Sequence, residues 1–258
     1  MILKNREGLA DFDIAPDWHE NRRRGLSGLV RLRDEETWCA KAIESFWPWC
    51  DELIIVVQPS RDRTRELVER YASHPGVRIY DYPYQSHPSG PGHDACPADS
   101  VYASAYHYNW TLAQSTMSHA VKLDGDMVMM DWAGSEIRAR MADGHDRIKF
   151  HGTDIVGEEL AHIGCHPHCP TAGVFKVTPE VHYSQGALTQ RFHCGQPVTH
   201  TIDRPAFLHF KWAKPAASAT KRWPKDWRRK EHFRRIYARR IPVEPYAGEY
   251  PASVRELL

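Results

Sequence analysis

No stretch of this 258-residue sequence approaches the roughly 20 apolar residues that span a bilayer. The longest apolar runs, such as residues 53–57, have the length of strands. The opening Met1-Ile2-Leu3-Lys4-Asn5-Arg6 offers no signal-peptide apolar region, so a cytoplasmic location is expected. Cysteine is sparse and scattered: the six thiols, at positions 39, 50, 96, 165, 169 and 194, do not make a disulfide framework and are expected to be free. Neither sign of charge dominates. The formal net charge is +1, so total charge predicts no partner. There is no internal repeat, no nucleic-acid-binding module and no glycine-rich phosphate loop near the N-terminus.

Hydrophobic residues make up 41% and charged residues 26%, the balance of a soluble globular protein with a sizeable core. The length suits one α/β domain with additions. Residues 1–25 read as a polar lead-in ending at Asn21-Arg22-Arg23-Arg24-Gly25. From there strand and helix patterns alternate. Residues 26–33 read as a strand, and Trp38, Ala42, Ile43 and Phe46 recur at helical spacing. Residues 53–57, Leu-Ile-Ile-Val-Val, suit a strand buried on both faces. A helix is expected near residues 62–72, a strand at 77–80, a loop at 83–99 and a helix near 100–117. A fourth strand at 120–123 ends at Asp124-Gly125-Asp126, and residues 147–151 read as another. This alternation predicts a mostly parallel, Rossmann-like sheet flanked by helices.

In open α/β sheets ligands lie at the carboxyl ends of the strands. Two sequence sites fall there, residues 58–64 and Asp124-Gly125-Asp126. Two carboxylates around a glycine form a compact oxygen-rich corner suited to Mg²⁺ or Mn²⁺. Alone, the same tripeptide also reads as a surface turn.

Leu29-Val30-Arg31-Leu32-Arg33-Asp34-Glu35 resembles the opening strand and turn of family 2 glycosyltransferases. Glu44-Ser45-Phe46 with residues 51–57, then Ser60, Asp62 and Thr64, then Asn109 with Leu112-Ala113, then Lys122-Leu123-Asp124-Gly125-Asp126, resemble further blocks of that family in the same order. Together they cover about residues 26–130. The resemblance implies a GT-A fold and transfer of a sugar from a nucleoside-diphosphate donor, of UDP or GDP type, to a saccharide or lipid-linked acceptor. It implies Mn²⁺ or Mg²⁺ on the diphosphate, with Asp124 near ribose and metal and Asp126 a direct ligand. It assigns the donor to Arg31, Asp34, Gln58, Ser60, Asp62, Asn109, Lys122 and Asp124. Residues 26–130 would then be the donor half and 131–210 the acceptor half.

The sequence departs from that pattern in places. Gln58 stands where the family has an Asp that contacts the base, and its amide brings donors as well as an acceptor. Tyr108 stands where the family often has Arg, and Arg61 and Arg63 replace small residues. An inverting reaction needs a general base. Asp154, Glu158 and Glu159 are the candidates, and all three read more readily as solvent-exposed acids; residues 186–195, where an acid is expected, contain none, so inverting and retaining chemistry both stay open. The cluster Cys165-His166-Pro167-His168-Cys169 is too crowded for a structural zinc site drawn from two separated pairs.

His209, in Phe207-Leu208-His209-Phe210-Lys211-Trp212, resembles the late metal ligand of many GT-A enzymes, with Lys211 able to meet donor phosphate; a strand with a packed histidine reads equally well. Residues 211–258 form a basic, aromatic extension expected to be helical. Between 211 and 240, twelve Lys and Arg stand against Asp226 and Glu231, with Trp212, Trp223, Trp227, Phe233, Ile236 and Tyr237 interleaved. Such a segment suits a solvated helix, or peripheral contact with an anionic membrane or a lipid-linked pyrophosphate. The competing functions are a nucleotidyltransferase and a non-enzymatic protein that binds anionic surfaces.

Overall fold

The computed structural model describes residues 1–87, 90–156, 161–163, 172–187, 189–212 and 243–255. Its elements in chain order are β1 (Arg23–Leu32), α1 (Cys39–Phe46), β2 (Glu52–Val57), α2 (Thr64–Glu69), β3 (Val77–Asp81), α3 (Pro91–Ala95), α4 (Ser104–Ala113), β4 (Met117–Asp124), β5 (Met127–Met129) and α5 (Ala133–Ala142). There follow β6 (Arg147–Val156), β7 (Ala161–Ile163), β8 (Ala172–Lys176), β9 (His182–Gln185), β10 (Gln190–His193), β11 (His200–Trp212), β12 (Val243–Pro245) and α6 (Ala252–Arg255).

One sheet runs through the molecule in the order β12-β7-β6-β8-β4-β1-β2-β3, with β11 joined to β6 and β5. The strands β4, β1, β2 and β3 are parallel neighbours, as the alternating sequence predicts. Beyond β4 the pairing turns antiparallel through β8, and β6 then takes β11 as a parallel partner. The architecture is the helix-flanked α/β sheet, Rossmann-like through its first half, that the GT-A resemblance implies.

The β-branched run of β2 is buried along its whole length because both faces are covered. Leu53, Ile55 and Val57 face a core shared with Phe46 of α1 and Ile137 of α5. Ile54 and Val56 face the opposite core, with Tyr106 and Trp110 of α4. That alternation is the period of two expected of a strand.

Residues 1–25 are more than a polar lead-in. Ile14 and Trp18 are buried in the α4-side core, and the Tyr106 hydroxyl donates to the Phe12 carbonyl at 3.1 Å. The sequence missed this because two apolar residues in an irregular segment carry no periodicity. Short α3 lies within the stretch expected as loop. Among the described residues Cys39, Cys50, Cys96 and Cys194 are free, as expected. Burial pushes the Cys39 thiol up to about 12. Glu158, Glu159, the 165–169 cluster and most of the C-terminal basic extension lie outside the described residues.

These two cores, with a smaller third one of Trp38, Val128, Ile155, Leu208, Phe210 and Val254, cover the sheet. The carboxyl ends of β1, β2 and β4 lie side by side, with Arg31 in register with Asp124 and with Val56.

Candidate functional site

Two loops at that edge are tied to each other. After β1, the Asp34 amide donates to Ser60 Oγ at 3.1 Å and the Glu36 amide donates to Asp62 Oδ2 at 3.1 Å. In return the Arg61 amide donates to Asp34 Oδ1 at 2.7 Å. Asp34 sits at φ 54°, a left-handed conformation that Asp tolerates because its short side chain can bond locally. Asp62 Oδ1 also accepts the Thr64 amide at 3.0 Å, at the start of α2. The structure thus brings Asp34, Ser60 and Asp62 together. Gln58 is buried beside them, and its Nε2 donates to the Tyr84 carbonyl at 2.7 Å and to Ser86 Oγ at 3.1 Å.

At the end of β4 the chain turns through Gly125. A Cβ there would lie 2.2 Å from Leu32 Cδ2 and 3.2 Å from Glu35 Cγ, so only glycine lets this turn sit against the end of β1. Leu32 is fully packed and has little room to yield. Gly125→Ala is therefore expected to destabilise the fold by about 1–3 kcal/mol through overpacking and to displace both flanking aspartates. Thermal unfolding and nucleotide binding measured on one preparation check it; unchanged values in both would show that the turn tolerates a side chain.

The two aspartates separate. Asp124 accepts from Lys122 Nζ at 2.7 Å and pairs with Arg31 Nη2 at 3.8 Å. Burial opposes its ionisation and Asp126 adds repulsion, but Lys122 and Arg31 prevail and hold it below the usual carboxylate range. Burial also opposes the charge on Lys122, and Asp124 outweighs it, so the ammonium lies above its ordinary value. Asp126 turns to the other side, where its Oδ1 lies 3.3 Å from His209 Nε2. Both are nearly enclosed, at 6% and 4% exposure.

The second strand partner explains this placement. β5 runs antiparallel to β11 with Met127 opposite His209, and the Phe210 amide donates to the Asp126 carbonyl at 2.7 Å. β11 also pairs with β6, where His209 is in register with Asp154, and His209 Nδ1 lies 2.8 Å from Asp154 Oδ1. A stacked pair, Trp38 on Phe210 at 4.0 Å, packs within a buried cluster beside the strand.

Three of the expected site residues have partners within the chain. Asp154, a candidate base, lies on the imidazole because β6 and β11 are in register there. Asp124, expected beside Asp126 on the metal, faces Lys122 and Arg31. Asn109, expected at the donor, has its amide engaged with the Tyr183 backbone, donating at 2.8 Å and accepting at 2.7 Å. The Lys211 backbone continues β11, while its side chain lies outside the described residues.

No family model matches the chain, and no curated protein matches it. Among solved structures it is similar to S. aureus TarS, at 11% identity over 72% of this chain and 36% of that one, with a TM-score of 0.49. It is similar to S. aureus TarS 1-349 in complex with UDP, at 12% identity over 71% of this chain and 60% of that one, TM-score 0.46. A third is glucosyl-3-phosphoglycerate synthase from Mycobacterium tuberculosis with Mn²⁺, UDP and glucosyl-3-phosphoglycerate, at 16% identity, 52% and 45% coverage and a TM-score of 0.36. The chain spans 60% or less of the length of each. At these identities and scores the likenesses transfer no residue roles to this chain.

Two aromatic residues near the site were not legible as part of it. The Arg31 guanidinium stacks 3.6 Å from the Tyr108 ring centre, and Tyr183 meets Tyr108 edge-on at 4.9 Å. Tyr108 announced itself only as a departure from the family pattern. Tyr183 lies on a four-residue strand and carries no sequence signal.

The donor set can be tested against a divalent metal. Asp126 supplies hard oxygen and His209 an imidazole nitrogen. An acceptor such as Asp154 at Nδ1 is the usual outer-shell partner of a metal-binding histidine, and with a metal present it would favour the tautomer that frees Nε2 as a ligand. Among the described residues no group of three or more His, Cys, Asp and Glu side chains is poised to hold a metal. The pair fits a cation that takes its remaining ligands from substrate phosphates and water, as Mg²⁺ commonly does.

Proposed function

We propose that this chain is a glycosyltransferase that moves a sugar from a nucleoside-diphosphate donor, of UDP or GDP type, to the hydroxyl of a saccharide or lipid-linked acceptor. The observation that carries the reading is the Asp126–His209–Asp154 line at the carboxyl edge of the sheet, beside Asp124 and the interlocked Asp34, Ser60 and Asp62 loops. Asp126 and His209 would hold Mn²⁺ or Mg²⁺. When bound, such an ion acts as a Lewis acid for the departing diphosphate. The chain's own residues then divide the remaining work. Asp154 keeps the imidazole in one tautomer. The interlocked loops present a rigid cradle for nucleoside and ribose. Lys122 and Arg31 set positive charge on the phosphate side, where negative charge builds as the bond to the sugar breaks.

A screen of nucleoside diphosphates for thermal stabilisation, with and without Mn²⁺, tests the reading. Stabilisation by UDP or GDP that requires the metal is expected; indifference to every diphosphate would remove it.

The basic extension carries a separate expectation. Twelve basic residues against two acidic ones between 211 and 240 suit peripheral binding to anionic lipid. Each basic residue close to such a surface contributes about 1 kcal/mol at most. Among the described residues no helix is long and apolar enough to cross a membrane. Sedimentation with phosphatidylglycerol vesicles should pellet the protein at low salt. Binding should fade as salt shortens the screening length to roughly 8 Å. Equal binding to neutral vesicles, or none at low salt, would remove the membrane from the proposal.

A further inference from the structure

The Asp126–His209–Asp154 line leaves one strongly charged group of the same edge unexplained. Arg31 has 5% of its side chain exposed, and its Nε, Nη1 and Nη2 are each buried without a hydrogen-bond partner. Tyr108 covers one face of the guanidinium. Asp124 approaches Nη2 only to 3.8 Å, within ion-pair reach but beyond a hydrogen bond. Buried polar donors without partners are costly, and guanidinium carries five of them in a planar fork shaped for carboxylate or phosphate.

The surroundings hold this cation in place without satisfying it. Tyr183 packs edge-on against Tyr108, and its backbone is fixed by two hydrogen bonds with the Asn109 amide. Burial pushes the Tyr183 phenol up to about 12 while Arg31 and Lys122 pull it the other way, so the hydroxyl stays neutral. Lys122 and Asp124 form the mouth of the cluster, with 21% and 28% of their side chains exposed. Two cations are thus balanced by one carboxylate. Asp124 is the more exposed partner of its pair with Arg31, at 28% against 5%.

We propose that Arg31 and Lys122 form a subsite for a phosphoryl anion, and that Asp124 is its internal stand-in, giving up its place between the two cations when the anion arrives. The inference deepens the glycosyltransferase reading. It rests on that reading for which phosphoryl group binds, the donor's diphosphate or a phosphate on the acceptor. The subsite itself stands on Arg31 and its neighbours alone.

Calorimetric titration with inorganic phosphate, without metal, separates the outcomes. Removing the stand-in should strengthen binding, so Asp124→Asn should bind phosphate at least tenfold more tightly than the unaltered protein. Arg31→Gln and Lys122→Gln should bind it at least tenfold more weakly. Lys122 is partly exposed, so its variant keeps the test alive if Arg31→Gln does not fold, which thermal unfolding reports. Repeating the titration with saturating UDP and Mn²⁺ identifies the source. Loss of phosphate binding assigns the subsite to the donor diphosphate, and persistence assigns it to a phosphate on the acceptor. Asp124→Asn binding no more tightly than the unaltered protein, or Lys122→Gln binding equally well, overturns the proposal. A protein that shows the phosphate pattern but binds no nucleoside diphosphate keeps the subsite and loses the glycosyltransferase reading. One that binds UDP with Mn²⁺ but lacks the pattern does the reverse.

Discussion

Asp126→Ala is expected to abolish metal-dependent binding of nucleoside diphosphate while the protein still folds. The carboxylate is nearly enclosed, and 3.3 Å from it stands His209 Nε2, whose other nitrogen is held by Asp154. Removing it takes away the hard oxygen of the proposed pair and leaves imidazole alone, a poor holder of Mg²⁺ or Mn²⁺. Activity should fall by on the order of 10³-fold, the equivalent of about 4 kcal/mol. The turn itself should survive, because its tie to β11 runs through the Asp126 backbone carbonyl and the Phe210 amide. Asp154→Asn offers a graded comparison, since loss of an orienting partner typically costs 10–100-fold in metal affinity. Titration with Mn²⁺ and UDP on both variants checks the pair. A folded Asp126→Ala protein with undiminished affinity would remove the metal from the proposed function.

Glu52→Ala, away from that edge, should be strongly destabilising. Glu52 opens β2 with 2% exposure, and its carboxylate is the meeting point of three strands. Ser27 Oγ of β1 donates to it at 2.6 Å, the Thr116 hydroxyl at 2.8 Å, and Arg78 Nη2 of β3 at 2.6 Å, while the Thr116 and Met117 amides donate at the start of β4. Alanine would strand these donors around an empty volume. The Thr116 and Met117 amides and the Ser27 hydroxyl would lose their acceptor at about 1–3 kcal/mol for each donor left buried and unsatisfied, while Arg78, 38% exposed, can turn to water. For a chain of this size that loss lowers the unfolding midpoint by roughly 10 °C.

The dependence on pH has a definite sign. Burial alone would raise the Glu52 pKa. The Ser27 and Thr116 hydrogen bonds and the Arg78 charge outweigh it and hold the carboxyl below its ordinary value of 4.5. A carboxylate depressed on folding contributes stability above its unfolded pKa and loses it as pH falls through the folded one. The gap between unaltered protein and Glu52→Ala should therefore be full at neutral pH and narrow below about pH 4.5. Calorimetric melts between pH 3 and 7 decide it. A gap that widens in acid, or a midpoint unchanged at neutral pH, would show that the network contributes little.

Much of the first half was legible because local signals and tertiary demands agree there. Residues 53–57 are β-branched and apolar, and a central parallel strand needs that on both faces. Asp124-Gly125-Asp126 follows such a strand directly. The second half resisted for a physical reason. His209 reads equally as ligand or core, because its neighbours on β11 are apolar in either case. Only the pairing of β11 with both β5 and β6 sets it between Asp126 and Asp154, and that pairing spans more than fifty residues of sequence. The partner of Asp154 was not legible for the same reason, because an acid on an isolated strand shows none. The first 25 residues read as polar because burial of Ile14 and Trp18 depends on a core supplied from elsewhere.

The pairing of β11 with β6 has one further consequence, for the lengths of chain that descendants of this sequence can tolerate. Ile202 stands opposite Phe150, yet Phe207 stands opposite Gly152, so β11 advances five residues while β6 advances two. The surplus is odd, and neighbouring side chains on a strand point to opposite faces. A single codon gained or lost within residues 203–206 would turn His209 to the wrong side of the sheet, unless the irregularity in the strand absorbed the change. Inheritance of the site then depends on a count as much as on identities, and an alignment that scored only its acids and histidine would miss the lesion.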